Sequence, residues 1–164
     1  MTDQNPQTGA DAANSKPEFA LQRIYLKDLS FEAPQGPAAF KRQWKPQVNQ
    51  DLRTQIKKLE DDHYDVVLHI TVTVKEGEDV MYLVEVQQAG IFLLRGFEGQ
   101  QLTSVLNTHC PQIIFPYLRE TVDSVVNKGT FPALMLPPIN FEALFQQALA
   151  QAQAQQEAAP ETVN

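Results

Sequence analysis

The side chains that could do chemistry are few. The chain has 3 histidines and 1 cysteine, and two of these adjoin as His109-Cys110. A thiolate is stabilised at a helix N-terminus and by a neighbouring imidazolium, so the pair has the composition of a nucleophile with its base. Such a nucleophile also needs a third group to orient the histidine, and none stands out here. Cysteine is among the residue types most often buried, and simple packing is the reading the context favours. His63 lies in Glu60-Asp61-Asp62-His63-Tyr64-Asp65, residue types that can ligate a metal. That stretch reads as a hairpin turn, where side chains diverge into solvent rather than converge on an ion. His69 falls on the polar side of a strand. CxxC, HExxH and a Gly-rich phosphate loop are all missing from the sequence. No catalytic centre, metal site or cofactor is expected.

The elements around these residues carry a stronger signal, and it is apolar. From Pro111 to Lys128 the spacing of Ile114, Leu118, Val122, Val125 and Val126 predicts a helix with one apolar stripe. Pro111 suits a first turn, while Pro116 should kink the helix or leave a carbonyl unpaired. Lys128 and Gly129 should close it, the glycine by turning left-handed. Asn140 is placed to cap a second helix, with Phe141, Leu144, Phe145, Ala148 and Leu149 on one face. Between the helices, Gly129 to Ile139 is apolar, yet Pro132, Pro137 and Pro138 exclude both a helix interior and a central strand. Such a loop must either seal a core or wall a groove.

The N-terminal half reads as four strands. Phe19 to Phe31 alternates with two changes of phase: Phe19 and Leu21, then Ile24 and Leu26, then Leu29 and Phe31. A bulge or bend on the way would reconcile them. Residues 32–37 form a loop, and Phe40 to Pro46 sets Trp44 among cations, either as a connector or as part of a binding wall. Val48 to Lys58 and Tyr64 to Lys75 follow. The second alternates most cleanly, with Tyr64, Val66, Leu68, Ile70, Val72 and Val74 inward and Asp65, His69, Thr71, Thr73 and Lys75 outward. Glu76 to Asp79 is a hairpin turn, and Val80 to Leu94 is the fourth strand, with Tyr82, Val84 and Val86 inward and Met81, Leu83 and Glu85 outward. Short links imply antiparallel pairing. Gln101 to Thr108 is a short helix. The fold class is α+β, a four-stranded antiparallel sheet packed on helices in a two-layer protomer. Residues 1–17 are expected to be a disordered tail, 18–150 the folded domain, and 151–164 a frayed Ala/Gln-rich tail.

Composition excludes several functions. The net charge is −7, against nucleic acid and against anionic membrane surfaces, and in favour of a basic protein partner. A single cysteine allows no intrachain disulfide and suits a reducing compartment. No stretch has the apolar core of a signal peptide or the length of a membrane span. A cytoplasmic location without membrane insertion is expected.

The strings YLKDLSFEAP (25–34), VEVQQAGIF (84–92), CPQIIFPYLRE (110–120) and GTFPALMLPPINFEALF (129–145) resemble the SecB family of protein-export chaperones. The resemblance implies an ATP-independent cytoplasmic holdase that binds unfolded precursor proteins and delivers them to the motor SecA. It implies a homotetramer, a dimer of dimers, with the helix at Pro111–Lys128 at the interface through Ile114, Tyr117, Leu118 and Val122. It also implies a crossover loop. Phe40, Trp44, Phe131 and Phe145 would line the client groove. Asp28, Glu32, Leu83 and Glu85 would bind SecA, whose basic tail module holds its own zinc. The alternatives are a SecB-like chaperone dedicated to one client such as an antitoxin, and a thiol-dependent enzyme.

Overall fold

The structure, a computed structural model, describes residues 16–158. The elements run β1 (Glu18–Glu32), a 3-10 turn (Gly36–Lys41), β2 (Gln47–Lys58), β3 (His63–Glu76), β4 (Asp79–Arg95), α1 (Gly99–Asn107), α2 (His109–Lys128) and α3 (Phe141–Ala158). The four strands form one antiparallel sheet in the order β1-β4-β3-β2. The expected α+β class holds. β1 and β2 are consecutive in sequence but lie at opposite edges, so residues 33–46 are a crossover and not a short link.

Local chemistry explains the turns. In the β2–β3 hairpin Asp61 and Asp62 take φ of 50° and 60°, a left-handed pair that aspartate tolerates and that matches strand twist. The His63 N–H donates to the Glu60 carbonyl at 3.1 Å, and His63 Nδ1 lies 3.0 Å from the same oxygen. The β3–β4 turn uses Gly77 at φ 61°. At the head of α3, Asn140 Oδ1 accepts the Ala143 N–H at 3.0 Å, which is the expected cap. Beyond the last apolar residue, Leu149, the helix continues to Ala158 because Ala, Gln and Glu are strong helix formers. Residues 1–15 and 159–164 of the two expected tails lie outside the described residues.

The phase changes in β1 have the expected cause. The register on β4 shifts once between Leu21 and Arg23 and again between Leu26 and Asp28. Each shift inserts one residue and reverses the facing of the residues beyond it. Phe19, Leu21, Ile24, Leu26, Leu29 and Phe31 therefore all face the helices.

The core lies between the central strands and α2. Tyr64, Val66, Leu68, Ile70, Val72 and Val74 of β3 join Tyr82, Val84, Val86, Phe92 and Leu94 of β4. Against them α2 buries Ile114, Leu118, Val122 and Val126 completely, each contributing about 1.5–3 kcal/mol. Close approach of this helix depends on Gly90, where a Cβ would fall 2.7 Å from Phe92 and 3.3 Å from Ile114. α2 runs unbroken through Pro116, which is exposed. The carbonyl that loses its N–H partner there belongs to Gln112, an exposed residue.

Two details of the fold differ from the expectation. Met81, expected on the outer face, is fully buried in the core. The β3–β4 register shifts between Val74 and Lys75, which pair with Tyr82 and Val80, so Met81 is an extra residue freed from the alternation. Gly129 ends α2 with right-handed φ of −71°, and the left-handed residue is Thr130 at φ 60°. Glycine is needed at 129 for space: a Cβ there would stand 2.5 Å from Phe31 Cζ and 3.1 Å from Phe131 Cδ2. At a free site Gly→Ala would stabilise a right-handed backbone by about 0.4–1 kcal/mol. Gly129→Ala is expected to reverse that sign and cost about 1–3 kcal/mol by displacing packed rings, measured as the midpoint of urea unfolding.

Candidate functional site

On the helix side of the sheet, Phe131 is the hub of an aromatic cluster. Its ring centroid lies 4.8 Å from Tyr82, 5.2 Å from Phe40, 5.8 Å from Trp44 and 6.3 Å from Phe31. Tilted rings at these separations gain roughly 0.5–1.5 kcal/mol per pair beyond their area. Phe131 is 5% exposed, beneath Phe40 at 56% and Trp44 at 37%. The two outer rings thus come from the crossover and the inner one from the apolar loop. Arg42, between Phe40 and Trp44 in sequence, pairs with Asp79 at 2.5 Å and ties the crossover to the β3–β4 turn.

The loop itself is fastened to α2. Asp123 Oδ1 accepts the Met135 N–H at 3.1 Å, at a residue with φ 50°. Leu136 is buried and Met135 is exposed. Between β2, this loop and α3 runs a groove of about 450 Å³, lined chiefly by Leu52, Ile70, Phe115, Leu136, Ile139 and Leu144. Of the four expected groove residues, three meet in the aromatic cluster. Phe145 does not: it sits half-buried on α3, away from the cluster and outside the lining of the groove. The neighbouring Leu144 occupies that wall. Sequence patterning does not single out the wall positions Phe115, Leu52 and Ile139, because each sits in an ordinary apolar pattern.

The opposite face of the sheet is open. Asp28 pairs with Gln87, Ser30 with Glu85 and Glu32 with Leu83 on adjacent strands β1 and β4. Paired residues share a face, so Asp28, Glu32, Leu83 and Glu85 form one patch of three carboxylates around a leucine. Asp28 and Glu32 are exposed, Leu83 and Glu85 half-buried. The Thr71 hydroxyl reaches Glu85 Oε1 at 3.4 Å.

The four residues expected at a subunit interface part company. Ile114, Leu118 and Val122 have no exposed surface, because they pack on the protomer's own sheet. They cannot also touch a neighbour, and that part of the expectation is corrected. Tyr117 alone points outward, 51% exposed.

The candidate nucleophile and its base are not brought together. Cys110 is fully buried, whereas His109 is exposed and lies tilted against Phe19, with ring centroids 4.9 Å apart. The neighbouring side chains therefore occupy different environments. Burial pushes the thiol up from its ordinary 9.0 to about 12, away from the thiolate that nucleophilic attack needs. Among the described residues there is no cluster of three or more His, Cys, Asp or Glu side chains able to hold a metal.

A sheet with an apolar groove and aromatic wall on one side and an acidic patch on the other is equipped to hold other polypeptides. Residues 12–152 match the family described as Preprotein translocase subunit SecB. The chain belongs to the SecB family, a family of export chaperones and not of enzymes. It is 54% identical over 158 residues to the protein-export protein SecB of Marinobacter nauticus, covering 96% of this chain and 94% of that one. It is 52% identical to that of Cellvibrio japonicus over the full length of both. A SecB-like chaperone from Mycobacterium tuberculosis, solved in complex with a ChAD peptide from an antitoxin, has the same fold. The TM-score is 0.60 at 15% identity, over 74% of this chain and 88% of that one. No helix among the described residues is long and apolar enough to cross a membrane.

The buried thiol makes a pH prediction. Tyr82 is also pushed up, from 10.0 to about 12, by burial and by Asp123. Both groups hold their protons more tightly when folded, so above pH 9 the unfolded chain binds fewer protons and stability must fall. The contribution is whole below pH 9 and is lost as pH rises toward 12, at no more than about 1.4 kcal/mol per pH unit per group. Urea unfolding from pH 8 to 11 should show this decline. In Cys110→Ala its onset should move from near pH 9 to near pH 10.

Proposed function

We propose that this chain is an ATP-independent holdase that binds unfolded preproteins through its helix-side groove and hands them to SecA through its open sheet face. The observation that carries the reading is the separation of the two surfaces. The groove and the Phe40–Trp44–Phe131 cluster lie on one face of the sheet, and Asp28, Glu32, Leu83 and Glu85 lie on the other. A client and a motor can then be bound together without competing for the same side chains. Groove walls rich in Leu and Pro, with Met135 exposed nearby, suit extended apolar segments of varied sequence, because such surfaces re-pack around different side chains. The acidic patch suits a basic partner, attracted over distance and held at contact. The protein works in the cytoplasm as a dimer of dimers.

Support for the assembly comes from the outward face of α2. There Tyr117 stands out between two partly exposed residues at helical spacing, Ile113, which also packs on the core, and Thr121, whose hydroxyl reaches Gln88 Oε1 at 3.3 Å. Tyr117 is a large aromatic standing clear of the protein's own core, and tyrosine is among the residue types most enriched at interface centres. Tyr117→Asp is expected to shift the mass by light scattering from tetramer to dimer with the fold intact. An unchanged tetramer would remove this face from the interface.

The division of labour is tested with variants of each surface in the full-length protein. Asp28→Lys and Glu85→Lys each remove an attraction and add a repulsion, and should weaken SecA binding by about tenfold or more at low salt, read by titration calorimetry. Their capture of an unfolded precursor should match wild type. Phe40→Ala together with Trp44→Ala should do the reverse. Loss of both activities in either set would mean that the two surfaces are not separate. A pull-down that recovers one protein and no SecA would point instead to a chaperone dedicated to a single client.

A further inference from the structure

Neither the groove nor the acidic patch uses Asp65, the buried carboxylate of the open sheet face. Asp65 on β3 is 9% exposed, and both its oxygens are engaged from β1, two strands away. The Tyr25 hydroxyl donates to Oδ1 at 2.9 Å, and Lys27 Nζ lies 3.9 Å from Oδ2. β4 runs between them. Tyr25 stands opposite Ala89, and Asp65 opposite Ile91, so the tyrosine side chain reaches across the intervening strand. Ala89 points away from α2 yet has no exposed surface, as it should with a ring laid over it. Burial and the bond to Asp65 raise the Tyr25 hydroxyl above its ordinary value, so the phenol remains a donor.

The place of this contact in the strand gives it a consequence. Tyr25 lies in the segment Arg23–Leu26, between the two register shifts of β1, and Lys27 is the extra residue of the second shift. That segment could slide by one residue and trade two single bulges for one wider bulge. Phe19, Leu21, Leu29 and Phe31 would keep their facing, so the apolar ends of the strand do not forbid the slip. Apolar burial within the segment resists it only weakly, since Leu26 is 47% exposed and Ile24 is only half-buried. An edge strand has hydrogen-bonding partners on one side only. The selective contact is the polar one, because after a slip Tyr25 would face α2 and lose Asp65.

We propose that Asp65 is a positioning residue for the partner-binding face: by holding Tyr25 and Lys27 it keeps the second bulge of β1 to a single residue, so that Asp28, the first paired residue beyond it, is held opposite Gln87 and next to Glu85 and not at the lip of a wider bulge. The inference rests on the reading of that face as the SecA surface. It adds that affinity for the motor is governed from a buried residue on a strand that contributes none of the docking carboxylates.

The test uses the full-length protein in its native assembly, with Tyr25→Phe, Asp65→Ala and the conservative Asp65→Asn, whose amide oxygen can still accept from Tyr25. In Asp65→Ala, hydrogen exchange over residues 22–32 should quicken by about tenfold or more while residues 64–74 of β3 stay protected. SecA affinity should fall by about tenfold, with capture of an unfolded precursor unchanged. Tyr25→Phe should move both readouts the same way, and adding it to Asp65→Ala should change neither further. Asp65→Asn should retain most of both. Should Asp65→Ala unfold the whole sheet, Tyr25→Phe, which removes only a hydroxyl, carries the same comparison. Wild-type exchange over residues 22–32 in Tyr25→Phe would overturn the register role. Faster exchange there with normal SecA affinity would overturn the positioning role. Normal SecA affinity in Asp28→Lys would instead remove the underlying reading of the face, while leaving the exchange result to stand for the register alone.

Discussion

Most of this structure derives from one mismatch of widths. A helix with its side chains is about 10–12 Å across, while four strands at about 4.8 Å span nearly twice that. α2 therefore lies over the two central strands and reaches only the margin of β1. On β3 and β4 the inward residues are buried throughout. On the edge strands they are not: Leu21, Leu26 and Leu29 of β1 and Val48 and Ile56 of β2 face the helix side yet remain exposed. α1 and α3 do not make up the difference, since α3 packs against α1 and α2 and not broadly on the sheet.

The uncovered strip beside β2 becomes the groove. Its floor is sheet, through Leu52 and Ile70, and its far wall is α3 with the proline-rich loop. Prolines explain why this wall stays open. Pro137 and Pro138 have no N–H to donate and hold the backbone extended, so the loop can neither join the sheet nor coil into a helix that would close the gap. Its start and its middle are fixed by left-handed residues that are not glycine, Thr130 and Met135, conformations that cost about 1–3 kcal/mol each and persist only where neighbours impose them. Around Thr130 the neighbours are Gly129 and the aromatic cluster. At Met135 the Asp123 carboxylate does the same through a hydrogen bond. Groove and loop are thus products of the same packing that fixes α2.

The open face obeys a different rule. Among the described residues no helix packs there, so small and polar residues suffice, and the alternation of strands sorts the charges. What could spoil the sorting is β1, whose two extra residues reverse its facing twice. Two reversals restore the original phase, which is why Asp28 and Glu32 emerge on the same side as Leu83 and Glu85.

Much of this was legible in the sequence. Alternation identified all four strands, the spacing of apolar residues identified the central helix, and Asn140 marked the head of the last one. The phase changes of Phe19 to Phe31 even announced bulges, because periodicity is a local property and a bulge breaks it locally. The shared face of Leu83 and Glu85 comes from the same alternation. Other features depended on what lies far away in the chain. Which side of α2 meets its own sheet, and hence that Ile114, Leu118 and Val122 are unavailable to a neighbour, is decided by β4 and not by the helix. Gly129 looks like a chain reversal until Phe31 is seen against it. Met81 leaves the outer face because the β3–β4 pairing shifts, and pairing belongs to two strands at once. Phe40, Trp44 and Phe131 meet only because the crossover carries the chain from one sheet edge to the other, while Phe145, as aromatic as they are, is turned elsewhere by its helix. The sequence states which residues want burial or a given backbone angle; only the folded chain decides which partner each one finds, since that depends on contacts between residues dozens of positions apart.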